Sequence, residues 1–307
     1  MPRATVAMPG SCGELVQGML DGVIFHVTCP VGIYSSVTVE LYEADSRIEV
    51  PPQRPKAEMA LRQVLKRLNA NGAGARMTID SPLPLSKGMA SSTADVAGAV
   101  EAAFRASGLE PAASLVSEIA LGIEPTDGTF LPGVVAFDHR AGKMLVPLGM
   151  PPPVDIIILD CGGEVDTIAF NTCNRNDILK RGETRIREAF EAVREGISNG
   201  DPFLIGLGAT LSAEANQEAL FKPQLDIARK LAGEVGAMGV NVGHSGTVIG
   251  VLLDSKKGDT PAAAAYVRRR LDGLQLLFVT SLTGGGARVQ VPVPPRTGNR
   301  KVLPLHE

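Results

Sequence analysis

Residues 81–95 read SPLPLSKGMASSTAD, and they decide more about this chain than any other stretch. Pro82 and Pro84 lead into Gly88, then Ser91-Ser92-Thr93. After these, Val96, Ala99, Val100, Ala103 and Phe104 recur at three- and four-residue intervals. That recurrence predicts a helix over about 91–106. Ser92 with Asp95 has the form of a capping box that would start it. A loop with few Cβ atoms, feeding a helix N-terminus, presents bare amides and the positive end of the helix dipole. Such a site suits an anion, and the usual biological anion is phosphate. The hydroxyls of Ser91, Ser92 and Thr93 add hard oxygen ligands for Mg²⁺. The same letters also serve a capped helix with no ligand. The segment is not a P-loop, because Gly-Lys-Ser/Thr is absent at the required spacing, and it carries no dinucleotide-binding glycine triplet.

The rest of the composition limits the function classes. A chain of 307 residues is long enough for two domains. Hydrophobic content of 44% and charged content of 21% are those of a soluble globular protein. With 4% aromatics and no Trp, the cores must be aliphatic. A net charge of −3 without a basic block argues against a nucleic-acid surface. The apolar run Ile156-Ile157-Ile158-Leu159 is too short to span a membrane. Residues 1–10 lack the apolar core of a signal peptide. Cys12, Cys29, Cys161 and Cys173 show no CxxC spacing, so neither zinc nor a disulfide framework is indicated. A reduced, cytoplasmic setting is expected.

Working outward, Val37-Thr38-Val39-Glu40-Leu41 alternates like a half-buried strand, within an extended stretch from 23 to 43. Helices are expected near 57–69, 112–121, 175–198, 201–216, 224–235 and 261–272. Strands are expected at 4–8, 76–80, 134–138, 143–147, 154–160, 240–242, 247–253 and 275–280. Pro151-Pro152-Pro153 is the expected domain boundary, because consecutive prolines continue neither a helix nor a central strand. The expected units are therefore 1–150, an α+β unit at 151–290, and a Pro-rich tail, 291–307, without a fold of its own.

Three more segments carry chemistry. Pro9-Gly10-Ser11-Cys12-Gly13-Glu14-Leu15-Val16-Gln17-Gly18 reads as two small-residue turns flanking a short strand, either a plain hairpin or a backbone lining for a ligand. Glu118, Glu124 and Asp127 supply three carboxylates, and phosphoryl transfer to an alcohol needs a metal ligand and often a proton acceptor. Pro125 to Gly128 equally forms an ordinary turn. Asn241-Val242-Gly243-His244-Ser245-Gly246-Thr247 brackets His244-Ser245 with glycines that permit close backbone approach, or simply a tight hairpin. His26, His139 and His306 show no partner pattern and are given no role.

Taken together, these segments resemble the GHMP kinase superfamily. Its N-terminal Pro-Gly motif is matched by Pro9-Gly10. Its phosphate loop, P-x-x-x-G-L-G-S-S-A, is matched by Pro84 to Ala94. Its C-terminal glycine turn is matched by Gly243 to Gly246. Ala90 departs from the usual Gly, Thr93 from the usual Ala, and His244-Ser245 from smaller residues. The resemblance implies a two-domain α+β fold: an N-terminal α/β domain with a left-handed crossover type sheet, and a C-terminal ferredoxin-like α+β sandwich. It implies ATP and Mg²⁺ as cofactors. Pro84, Leu85, Ser86, Lys87, Gly88, Met89, Ala90, Ser91, Ser92 and Thr93 would hold the nucleotide. Ser91, Ser92 and Glu118 would hold Mg²⁺. Asp127 and Glu124 compete as base, with Ser91 beside them, or the site works without a base, as in the homoserine kinases of the same superfamily. Gly13, Glu14, His244, Ser245 and Gly246 would line the acceptor, Glu14 pairing with an ammonium. Within the superfamily, PGSCGELVQG, IEPTDG and HSGT are similar to strings of the kinases that phosphorylate L-threonine for cobalamin biosynthesis. The alternatives are homoserine, a sugar or an isoprenoid alcohol as acceptor, or an inactive kinase-like ligand sensor. No nucleic-acid or membrane partner is expected, and a homodimer is.

Overall fold

The computed structural model describes residues 2–42, 46–70, 72–163, 175–243, 246–291 and 302–303. Its frame is a long antiparallel hairpin of β1 (Arg3–Leu20) and β2 (Val23–Tyr42). Asp21 and Gly22 close it with φ of 49° and 80°. Two positive φ values in succession are what a type I′ turn requires, and Asp-Gly supplies them at low strain. The segment Pro9–Gly18, expected to turn twice, instead stays inside β1. Its register against β2 shifts at Pro9/Ser11, Ser11/Glu14 and Glu14/Val16. The small residues there make bulges, which bend the strand and re-aim its side chains.

The other strands are β3 (Ile48–Glu49), β4 (Gly74–Asp80), β5 (Glu110–Pro111), β6 (Val134–Phe137), β7 (Leu145–Gly149) and β8 (Val154–Asp160). They continue with β9 (Gly239–Val242), β10 (Val248–Asp254), β11 (Gln275–Ser281), β12 (Arg288–Val291) and β13 (Val302–Leu303). Eleven of them form one sheet, ordered β11-β8-β10-β9-β1-β2-β4-β3, with β12 on β1 and β6–β7 on β2. Glu14 of β1 faces Val242 of β9, so strands from both sides of Pro151–Pro153 share one ladder. After β11 the chain returns to the first half: the Thr283 amide donates to Pro30 O at 2.9 Å, and β12 pairs with β1. The tail departs from expectation in two places. Val291 ends β12, and Val302–Leu303 run parallel to β5.

Helices cover this sheet. They are α1 (Pro55–Arg67), α2 (Ser91–Ala106), α3 (Ala113–Leu121), α4 (Asn176–Arg181), α5 (Glu183–Asn199), α6 (Pro202–Ala215), α7 (Leu225–Glu234) and α8 (Thr260–Arg268). The single helix expected over 175–198 is divided at Gly182. β8 shows why its sequence lacks alternation. Ile156 and Ile158 enter one apolar cluster and Ile157 and Leu159 the other, so both faces are dry. α2 lies tight on the hairpin: a Cβ on Gly98 would meet Val37 Cγ2 at 2.6 Å.

Candidate active site

α2 begins where the sequence placed it, but not by the expected cap. Ala90 is the N-cap, in left-handed conformation (φ 53°), and no side chain caps the helix. Asp95 points away: it accepts from the Ser35 hydroxyl at 2.6 Å and pairs with Arg54 at 3.2 Å. Burial pushes the Asp95 carboxyl above its usual range, opposed by the Ser35 hydrogen bond and the Arg54 charge. The capping-box reading is therefore corrected. The first amides of α2 are left without side-chain acceptors, which is the state an anion site needs.

Three backbone segments meet at this helix end. The Ser11 amide donates to Met89 O (3.0 Å) and the Gly13 amide to Gly88 O (3.2 Å). The Thr247 amide donates to Lys87 O (2.9 Å). Gly88 and Gly246 touch backbone to backbone, and a Cβ on Gly246 would lie 2.3 Å from Gly88 Cα. Gly13, at φ 53°, packs on Gly243 in the same way. Asn241, fully buried, donates through its amide to the carbonyls of Cys12 and Glu14, fixing the bulge that presents Glu14.

Beside this junction lies a cavity of about 320 Å³. From the expected loop, Leu85, Ser86, Gly88, Met89, Ala90, Ser91, Ser92 and Thr93 line it. Pro84 and Lys87 do not. Lys87 instead reaches Asp160 Oδ2 (2.9 Å) and Gly163 O (2.8 Å). Asp160 also accepts from the Thr247 hydroxyl and the Gly162 amide. Burial alone would raise the Asp160 carboxyl, but the bonds from Thr247, Lys87 and Gly162 outweigh it and hold the group below its usual range.

The carboxylates separate by environment. Glu124 lines the cavity, accepts from the Ser92 hydroxyl and pairs with Lys56 Nζ at 2.5 Å. Asp127 also lines it, and its amide donates to Thr93 Oγ1 at 3.2 Å. Glu118 does not join them: it is exposed and ion-paired with Arg67 on α1. The structure thus brings Glu124 to Ser92 in place of Glu118.

Sequence reasoning missed several residues. Gln53, Arg54 and Lys56 enter the cavity wall from the start of α1, far ahead of the loop in sequence, where no local pattern marks them. His26 comes from β2. Its Nδ1 is 3.9 Å from Asp127 Oδ1 and its ring stacks on His139 at 3.6 Å. Atoms of Glu14, His26 and Asp127 all lie within 4.8 Å of one another. Only the partnership of β1 with β2 brings Glu14 and His26 together, which spacing along the chain cannot reveal. His244 and Ser245 lie outside the described residues; Gly13 and Gly246 are at the junction.

Comparison with known proteins gives the family and the fold. Residues 56–130 match the family described as "GHMP kinases N terminal domain". The chain is 32% identical over 259 residues to an L-threonine kinase from Citrobacter freundii, covering 83% of this chain and 88% of that one. It is 32% identical over 262 residues to an L-threonine kinase from Salmonella typhimurium, covering 83% and 85%. Among solved structures, a homoserine kinase from Cytophaga hutchinsonii superposes with a TM-score of 0.71 at 18% identity, covering 94% of this chain and 98% of that one. The L. major mevalonate kinase in complex with R-mevalonate gives 0.71 at 16% identity, covering 93% and 97%. These two likenesses establish the fold, a mixed α+β architecture with a curled sheet. Among the described residues, no helix is long and apolar enough to cross a membrane. With 32% identity across most of its length and the phosphate-loop junction in place, the chain belongs to the GHMP kinases.

Proposed function

We propose that this kinase transfers the γ-phosphate of ATP to the side-chain hydroxyl of L-threonine, giving L-threonine O-3-phosphate for cobalamin biosynthesis. The observation that carries the reading is two unlike charged sets that meet at Asp127, which lines the cavity and lies 3.9 Å from His26. Ser92, Glu124 and Lys56 stand at the helix end. Glu14, His26 and Asp127 gather on one another, and of the three Asp127 lines the cavity. An isoprenoid or sugar acceptor offers no cation to the second set, whereas an amino acid offers its ammonium.

Family membership makes ATP the phosphoryl donor, and the substrate a small molecule. The amides at the start of α2 and the Gly88 turn bind and orient the phosphates. Lys56, Arg54 and Gln53 face the same cavity and favour its anionic occupant. A hydroxyl and a carboxylate in hydrogen-bond contact are a donor set that fits Mg²⁺, so Ser92 and Glu124, with Ser91 adjoining, would hold it. When bound, Mg²⁺ supplies neutralisation of charge on the transferring phosphoryl group. Asp127 takes the acceptor's hydroxyl proton. Glu124 is engaged by Ser92 and Lys56, whereas Asp127 has the His26 imidazole beside it. Glu14 receives the ammonium. Because the transition state is loose, positioning and charge carry most of the rate, and the base contributes a further factor.

The same reading assigns ATP binding to residues 1–150 and a second unit to 151–290. It sets the reaction in the cytoplasm, without nucleic-acid or membrane partners, in a homodimer. The test is coupled ADP release with Mg·ATP against L-threonine, L-serine, L-homoserine, mevalonate and galactose. Turnover of L-threonine well above the others is expected. A preference for L-homoserine would keep the site and replace the acceptor.

A further inference from the structure

Phe221-Lys222-Pro223 connects α6 to α7. Phe221 is exposed, but Lys222 is turned inward and only 7% exposed. Its ammonium donates to Gly246 O at 2.5 Å. Gly246 is the residue that packs on Gly88, so Lys222 sits one residue behind the phosphate-loop junction. The charges that face it are the Glu14 and Asp160 carboxylates and the Cys161 thiol. Among the described residues, none of these carboxylates forms an ion pair with it. Asp160 is taken by Lys87 and Thr247, and Glu14 is gathered with His26 and Asp127. Burial pushes the ammonium's pKa down, and those three groups push it back up.

An ammonium has three donors, and Gly246 accepts one of them. A cation kept dry beside Glu14 is built to meet an anion. That anion is either a phosphate of the nucleotide or a carboxylate of the acceptor. The cavity that takes the phosphates is lined by seventeen residues, and Lys222 is not one of them. Glu14 is outside that lining as well, and it belongs to the acceptor set. We propose that Lys222 binds the α-carboxylate of the amino-acid acceptor, so that Glu14 and Lys222 read the two charges of one zwitterion. The inference rests on the amino-acid reading of the acceptor site. A rival carboxylate partner exists: Arg140 and Arg175 share a small cavity of about 40 Å³ with His26 and His139. Its lining includes Ala219 and Leu220 but neither Lys222 nor Gly246.

The test compares L-threonine with L-threoninol, which has a hydroxymethyl group in place of the carboxylate. Initial rates are taken for the wild type, Lys222→Met, Lys222→Arg and Arg140→Gln, with ATP varied separately. The wild type should prefer L-threonine by ~10³-fold or more in kcat/KM, as expected when a buried charge loses its partner. Lys222→Met should raise KM for L-threonine by ~100-fold and leave KM for ATP unchanged. It should also remove most of the preference over L-threoninol, and Lys222→Arg should retain it. Lys222→Gln replaces the Met variant if that one melts early. Equal losses on both acceptors would reduce Lys222 to a structural residue and overturn the proposal. A raised KM for ATP would make it a phosphate ligand. Loss of the preference in Arg140→Gln, with Lys222→Met normal, would give the carboxylate to the other cavity. A wild type that turns over no amino acid would sink the threonine reading itself, before any variant is compared.

Discussion

Replacing Gly246 by alanine tests the contact on which the site depends. The new Cβ would meet Gly88 Cα at 2.3 Å, Lys87 O at 2.3 Å and Gly88 N at 2.4 Å. All three are backbone atoms, so no side chain can swing aside. Ordinary contact begins at 3.4 Å, so the two segments must part by about 1 Å. Lys87 O then loses its bonds from the Thr247 and Val248 amides, now at 2.9 and 3.3 Å. Each is worth about 1 kcal/mol, and overpacking adds ~1–3 kcal/mol. A displacement of roughly 1 Å at a reacting phosphate lowers the rate by about 100-fold. The assay is ADP release with Mg·ATP, with a melting curve beside it. We expect kcat/KM to fall by about 100-fold, and the melting temperature to drop by ~2–4 °C for each kcal/mol lost. Gly233→Ala, on α7 with nothing within 4 Å of its added Cβ, is the control and should leave the rate unchanged and the melting temperature equal or slightly higher. An unchanged rate and melting temperature in Gly246→Ala would refute the backbone contact between the two motifs.

Other substitutions separate the carboxylates. Asp127→Asn should lower kcat by ~10²–10⁴-fold with KM for ATP nearly constant, and a normal kcat would remove it as base. Glu124→Gln should raise the Mg²⁺ concentration needed for half-maximal rate, measured by titrating Mg²⁺ at fixed ATP; an unmoved midpoint would put the metal elsewhere. Asp160→Asn breaks the tie between Lys87 and Thr247 and should cost about 3 kcal/mol at neutral pH, read by urea unfolding. Because the folded Asp160 pKa is depressed, its stabilisation is present above the unfolded carboxylate pKa of about 3.9 and is lost as pH falls below it. The variant should therefore lose part of the wild type's acid sensitivity below about pH 4. The Cys161 thiol is pushed up to about 11 by burial, with Asp160 adding to the rise and Lys222 opposing it. Alkylation at pH 7 should be slow, with about one molecule in 10⁴ as thiolate, and should accelerate toward pH 10; fast labelling at pH 7 would contradict the burial.

How much of this was legible follows from which signals are local. The start of α2 could be read because its apolar period begins at the loop, and β8 because its isoleucines fall on two dry faces. The Asp95 reading failed for a tertiary reason. Ser35 and Arg54, brought from β2 and the α1 entrance, compete for its carboxylate and win. The resemblance that gave Glu118 to Mg²⁺ says nothing about which face of α3 the residue occupies. Arg67 holds it on the outside. His26 was set aside for lack of a sequence partner, yet its partners, Glu14, Asp127 and His139, arrive from β1 and from the loops around β6. The β1 bulges were read as turns, because glycine signals a change of direction and a register shift alike. Lys222 carried no signal at all: a lysine after a phenylalanine reads as surface.

The central claim is that this chain makes a phosphate ester at the hydroxyl of L-threonine. The most direct measurement is ³¹P NMR of the wild-type protein with Mg·ATP and L-threonine. The account predicts loss of the γ-phosphate signal and growth of a phosphomonoester resonance coupled to the threonine β-proton, in proportion to ADP. Growth of inorganic phosphate alone, or no change with L-threonine alongside turnover of another alcohol, would contradict it.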